Sequence, residues 1–108
     1  MEACAYIYDE ILDISNFKIT THAMGQYIVK CVTGKTLVES TAIMREKLKK
    51  VRKVELNKKK RLDRVAYMDE DENIYITERD NIVTVFPNRR IFVAKTLYAN
   101  KKTGYKYL

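Results

Sequence analysis

The 108 residues suffice for one hydrophobic core and exceed the size at which metals or disulfides become necessary. Apolar residues make up 46% of the chain and charged ones 32%, with three Gly and one Pro, which excludes a disordered, collagenous or low-complexity polymer. The net charge is +7, no apolar run approaches the roughly 20 residues that span a bilayer, and Met1-Glu2-Ala3-Cys4 opens no secretory signal; the expectation is a cytoplasmic protein without membrane contact.

In chain order, Cys4, Ile7, Tyr8 and Ile11 stand at i, i+3, i+4 and i+7 and predict an amphipathic helix over 3–14, which packs on the domain or forms a homodimer contact. Phe17-Lys18-Ile19 is a short extended link, after which Thr20 or Thr21 caps a helix over 22–33. Met24, Tyr27, Ile28, Cys31 and Val32 line its apolar side, and Gly34 is its expected stop. Both Cys4 and Cys31 fall in apolar stripes and are read as buried thiols rather than a disulfide. Thr36-Leu37-Val38-Glu39 is a capping box that opens a third helix, carried to about residue 52 by Leu37, Thr41, Met44, Leu48 and Val51.

From residue 65 the period changes to two. Val65–Met68, Ile74–Thr77 and Ile82–Phe86 are strands of an antiparallel meander, Pro87-Asn88-Arg89-Arg90 is a turn, and Ile91–Leu97 is a fourth strand. The basic, tyrosine-bearing tail 99–108 is a fifth edge strand or loose. The whole is a single α+β domain: a helical layer over about 3–58 packed on an antiparallel sheet over about 64–98, four-stranded or five-stranded.

The charge is unevenly placed. Residues 45–64 carry eleven Lys/Arg against Glu46, Glu55 and Asp63, a net of +8, while 69–80 carries six acids against Arg79, a net of −5. A basic stripe on a nearly neutral body suits a polyanion, with nucleic acid the expected partner and RNA favoured. The candidate contacts are Arg45, Lys49, Arg52, Lys53, Lys58, Lys59, Lys60, Arg61 and Arg64, joined by Gln26 and Arg90. A solvated helix face that keeps the protein soluble is the plain alternative.

Several chemistries are missing. Val32-Thr33-Gly34-Lys35-Thr36 lacks the first glycine of a phosphate loop, and one His with two Cys makes no zinc site. Asp69-Glu70-Asp71-Glu72 lacks the ligand spacing of a calcium loop and reads as a solvated turn. No cofactor or metal is expected. What remains is metal-free attack of a ribose 2′-OH on its neighbouring phosphate, which needs a base, an acid and cations for the phosphorane. His22, Gln26 and Lys30 share one helical stripe. His22 as acid or base, Lys30, Arg89 and Arg90 as charge stabilisers, and Tyr67 or Tyr75 as proton donor or stacking platform form a conceivable catalytic set. Each also has a plain structural role, so enzymatic activity stays open.

The order Phe17-Lys18-Ile19-Thr20-Thr21-His22-Ala23, then helices, then a meander ending Ile82-Val83-Thr84-Val85-Phe86-Pro87, resembles the small domains grouped with RelE/ParE-type toxins over about residues 17–93. Their helix opens Ile-x-x-His-Ala and continues with arginines where this chain has Gln26 and Lys30. The resemblance implies a helical layer on a twisted antiparallel sheet, a nucleic-acid-facing cleft, an antitoxin as partner, and His22 and Lys30 at motif positions. Gln26 removes a fixed cation, so binding survives better than cleavage. Two further classes compete. One is a phage or mobile-element protein that inhibits a host enzyme or defence complex through the acidic 69–80 segment; the other is a helix-turn-helix regulator built from helices 22–33 and 37–52.

Overall fold

A computed structural model describes residues 4–56 and 63–88. The elements are β1 (Cys4–Leu12), β2 (Lys18–Ile19), α1 (Thr21–Lys30), α2 (Leu37–Lys47), β3 (Val51–Leu56), β4 (Arg64–Met68), β5 (Asn73–Glu78) and β6 (Asn81–Pro87). They form one six-stranded sheet in the order β1-β3-β4-β5-β6-β2, with two helices. Every pairing is antiparallel except β2 with β6. The α+β class holds, and the helical start does not.

Residues 4–12, expected as a helix, are an edge strand, and the helix expected to reach residue 52 stops at Lys47. These two corrections are one event, because β1 and β3 pair with each other, Ile7 beside Val54 and Leu12 beside Val51. Neither strand alternates cleanly enough to declare itself: β1 shifts register between Cys4 and Tyr6 and again between Ile7 and Ile11. Such bulges displace apolar residues from period two and let them imitate a helical spacing.

The helix starts follow the residues that cap them. Thr20 Oγ1 accepts the Ala23 N–H at 3.1 Å and donates to the Ile82 carbonyl at 3.0 Å, so one hydroxyl opens α1 and fastens it to β6. Glu39 and Thr36 exchange hydrogen bonds at 2.9 and 3.1 Å, the expected capping box; such a cap stabilises by about 1 kcal/mol. α1 ends at Cys31, before Gly34, whose φ of +70° serves the inter-helix turn.

Period two divides β5 between two apolar clusters. Tyr75 joins Ile14, Ala23, Tyr27, Met44, Leu48, Val51, Ile82 and Val85 in the core beneath the helices. Ile74 points the other way and joins Val54 and Ala66, flanked by Leu56, Met68, Ile76 and Phe86. The strand expected at 91–97 and the tail 99–108 lie outside the described residues, as do Lys58, Lys59, Lys60, Arg61, Arg89 and Arg90.

Candidate nucleic-acid interface

α1 places His22, Gln26 and Lys30 at successive turns, with His22 and Lys30 exposed and Gln26 half-buried. The Gln26 Oε1 atom is buried and makes no hydrogen bond. Among the described residues no hydrogen bond or ion pair joins His22, Lys30 and Tyr67. Tyr67 is half-buried on β4 with its ring edge-to-face against Phe17, centroids 6.2 Å apart, and burial pushes its phenol above the usual range. Tyr75 is no platform at all: it is fully buried and donates to Asp69 Oδ2 at 2.6 Å.

Of the seven described cations in 45–64, four are engaged by other groups of the fold. Arg45 is half-buried and donates to the carbonyls of Ser15 and Phe17 at 2.7 and 2.6 Å, fastening α2 to the β1–β2 connection. Lys49 pairs with Glu46 at 3.0 Å and Arg64 with Glu78 at 3.5 Å. Lys47 reaches Asp71 at 3.0 Å and Glu70 at 3.4 Å, and the Asp71 carboxylate raises its ammonium above the ordinary value. Lys50 and Arg52 are exposed without a carboxylate partner among the described residues. Glu46, Lys47, Lys49, Lys50 and Glu70 rim a shallow open groove over Ala42 and Ile43, with both signs of charge.

The acidic turn is also committed. Asp69 is 4% exposed, and its Oδ1 accepts the N–H groups of Asp71 and Asn73, each at 2.9 Å. Far from a solvated carboxylate, it is the buried anchor of the β4–β5 hairpin. Desolvation holds its carboxyl above the ordinary range despite the three donors. The Tyr75 phenol is raised well above its normal value by burial and by that carboxylate, and Tyr27 likewise by burial. Glu70 and Asp71 pair with Lys47 yet keep 60% and 50% of their side chains exposed, and Glu72 is exposed beside them. The exposed residues of α2 are Leu37, Val38, Glu39, Ala42 and Glu46, with no cation among them.

One group of side chains escaped the sequence reading because residues 4–12 were expected to be helical. Tyr6 is 58% exposed and Tyr8 37%, their rings perpendicular with centroids 4.9 Å apart. The Lys53 Nζ lies 5.3 Å from the centre of the Tyr8 ring, a cation–π contact. The Tyr8 hydroxyl donates to Glu55 at 3.0 Å, and that carboxylate raises the phenol's pKa. Lys53 is the register partner of Tyr67, which is the partner of Tyr75, so these side chains share the helix-bearing face of the sheet. The available signal was the β-rich triplet Tyr6-Ile7-Tyr8.

Among the described residues no three of His, Cys, Asp or Glu gather as a metal site, and no helix is long and apolar enough to cross a membrane. The chain matches no family model, and neither a curated protein nor a solved structure gives a match.

Proposed function

We propose that this protein binds nucleic acid, with RNA the favoured ligand, and that it does so without cleaving it. The observation that carries the proposal is where the sequence places its surplus of positive charge. The described residues hold eleven Lys/Arg and thirteen Asp/Glu, whereas segments 57–62 and 89–108 hold ten Lys/Arg and no acid. The cationic surplus therefore belongs to Lys58, Lys59, Lys60, Arg61, Arg89, Arg90 and the tail lysines, the residues of the chain best suited to phosphates.

The resemblance to RelE/ParE-type toxins enters the proposal at the helix start. Ile19 lies in β2, Thr20 caps α1, and Ala23 is fully buried, so the Ile-x-x-His-Ala pattern has a structural use in which His22 is the one exposed member. With Gln26 standing where the family carries a fixed cation, a binding-only relative is favoured over a ribonuclease.

The test is retention of a labelled RNA at graded salt beside incubation of total RNA in EDTA with wild type and His22→Ala. With six or more phosphates engaged, affinity falls by about a thousandfold or more between about 50 and 200 mM salt. The RNA is expected to stay intact. Binding that is absent at low salt, or indifferent to salt, overturns the proposal, and cleavage lost in His22→Ala replaces binding with catalysis.

A further inference from the structure

We infer that Tyr6 and Tyr8 on β1, with Lys53 beside them on β3, form a stacking platform for the unpaired bases of a single-stranded nucleic acid. The inference deepens the binding proposal and rests on it, adding a site outside the helices and outside segments 57–62 and 89–108.

The geometry carries it. Two neighbouring tyrosines on an edge strand keep 58% and 37% of their surface in water, although the same face of the sheet buries Tyr75 completely a few strands away. The rings are held rather than loose: Tyr8 is fixed by its hydroxyl on Glu55, by Tyr6 edge-on at 4.9 Å, and by the Lys53 ammonium at 5.3 Å. A ring fixed in advance loses little conformational freedom when a base stacks on it. Lys53 has no carboxylate partner among the described residues, so its charge is available to a phosphate next to a stacked base. Exposed aromatics interleaved with a cation on a strand surface are the arrangement by which sheets bind single strands with little regard to sequence. Duplexes hide the base faces that such rings need.

The local acids bear on the strength of this contact and do not reverse it. Glu55 is engaged by Tyr8, and Asp9 and Glu10 follow on the same exposed strand. They oppose phosphate, which leaves stacking as the principal attraction here and long-range attraction to the basic segments.

The experiment measures binding of fluorescein-labelled oligo(U) and oligo(dT) of about 20 nucleotides, and of a duplex of equal length, to the full chain by anisotropy across a salt series. It compares wild type with Tyr6→Ala/Tyr8→Ala, Tyr6→Phe/Tyr8→Phe, and a variant with Lys58, Lys59, Lys60 and Arg61 changed to Gln. Circular dichroism melts confirm that each is folded. The single strands are expected to bind more tightly than the duplex. The alanine pair is expected to weaken single-strand binding roughly fivefold or more for each ring removed, with an unchanged salt slope. The phenylalanine pair, which keeps both rings and loses the Glu55 bond, should weaken binding far less than the alanine pair, and the glutamine variant should lose salt slope while keeping its preference for single strands.

If the alanine pair binds like wild type, the platform is wrong while nucleic-acid binding stands. If wild type binds no oligonucleotide at low salt, the binding proposal and the platform fall together. If the alanine pair keeps its affinity but turns a dimer into a monomer in sedimentation, the two tyrosines are a contact between copies and the inference is overturned.

Discussion

The β4–β5 hairpin and the β1 edge are built from similar side chains, tyrosines beside carboxylates, and use them in opposite ways. At the hairpin, Tyr75 donates to Asp69 in a site from which water is excluded, and the pair holds the turn together. At the edge, Tyr8 donates to Glu55 in open solvent, and the rings stay outside the core. The same hydrogen bond is a structural joint when buried and a means of orienting a surface ring when exposed, because burial decides what its loss costs.

Substitutions should break that contrast in a definite order. Asp69→Ala leaves the Tyr75 hydroxyl and two backbone N–H groups without their acceptor inside the fold. It is expected to cost about 3 kcal/mol or more, read as the midpoint of urea unfolding. Arg45→Met keeps most of the alkyl packing but removes two donors from the Ser15 and Phe17 carbonyls, and a loss of about 2 kcal/mol is expected in the same assay. Tyr6→Ala/Tyr8→Ala, at the exposed edge, should cost clearly less than either of these changes. An edge pair that costs as much as Asp69 would show that these rings belong to the core after all.

The smallest effect is in pH. The folded carboxyl of Asp69 is raised above its ordinary value of 3.8 by desolvation, so between those two values the folded protein binds more protons than the unfolded chain. The contribution of this group to stability is therefore greatest below the ordinary value and declines as pH rises through the raised one. Asp69→Asn should flatten that part of the curve of melting temperature against pH.

What could be read from the sequence follows the range of the interactions concerned. The Thr36–Glu39 capping box, the Thr20 cap and the three strands of the meander depend on residues a few positions apart, and all are present. The pairing of β1 with β3 joins residues 39 to 52 positions apart, so nothing in either local pattern announces it. Val51 and Val54 fit a helical stripe equally well until Leu12 and Ile7 are seen beside them. The candidate interface was obscured in the same way, since Tyr8 and Lys53 meet only through that pairing. Counting charge along 45–64 revealed an excess but not its partners, because Ser15, Phe17, Glu70 and Asp71 come to Arg45 and Lys47 only in the folded chain.

The short parallel pairing of β2 with β6 sets a condition on how the molecule is made. Thr20 and Ile82, joined across 62 positions, cannot meet until nearly the whole described chain has left the ribosome. α2 and the pairings among β1, β3, β4 and β5 can form earlier, but β2 has no strand to join until β6 is available, and the closure entropy of that long loop falls on a late step. β1 finds its partner as soon as β3 is made, so β2, although it precedes both helices in the chain, should be the strand locked in place last.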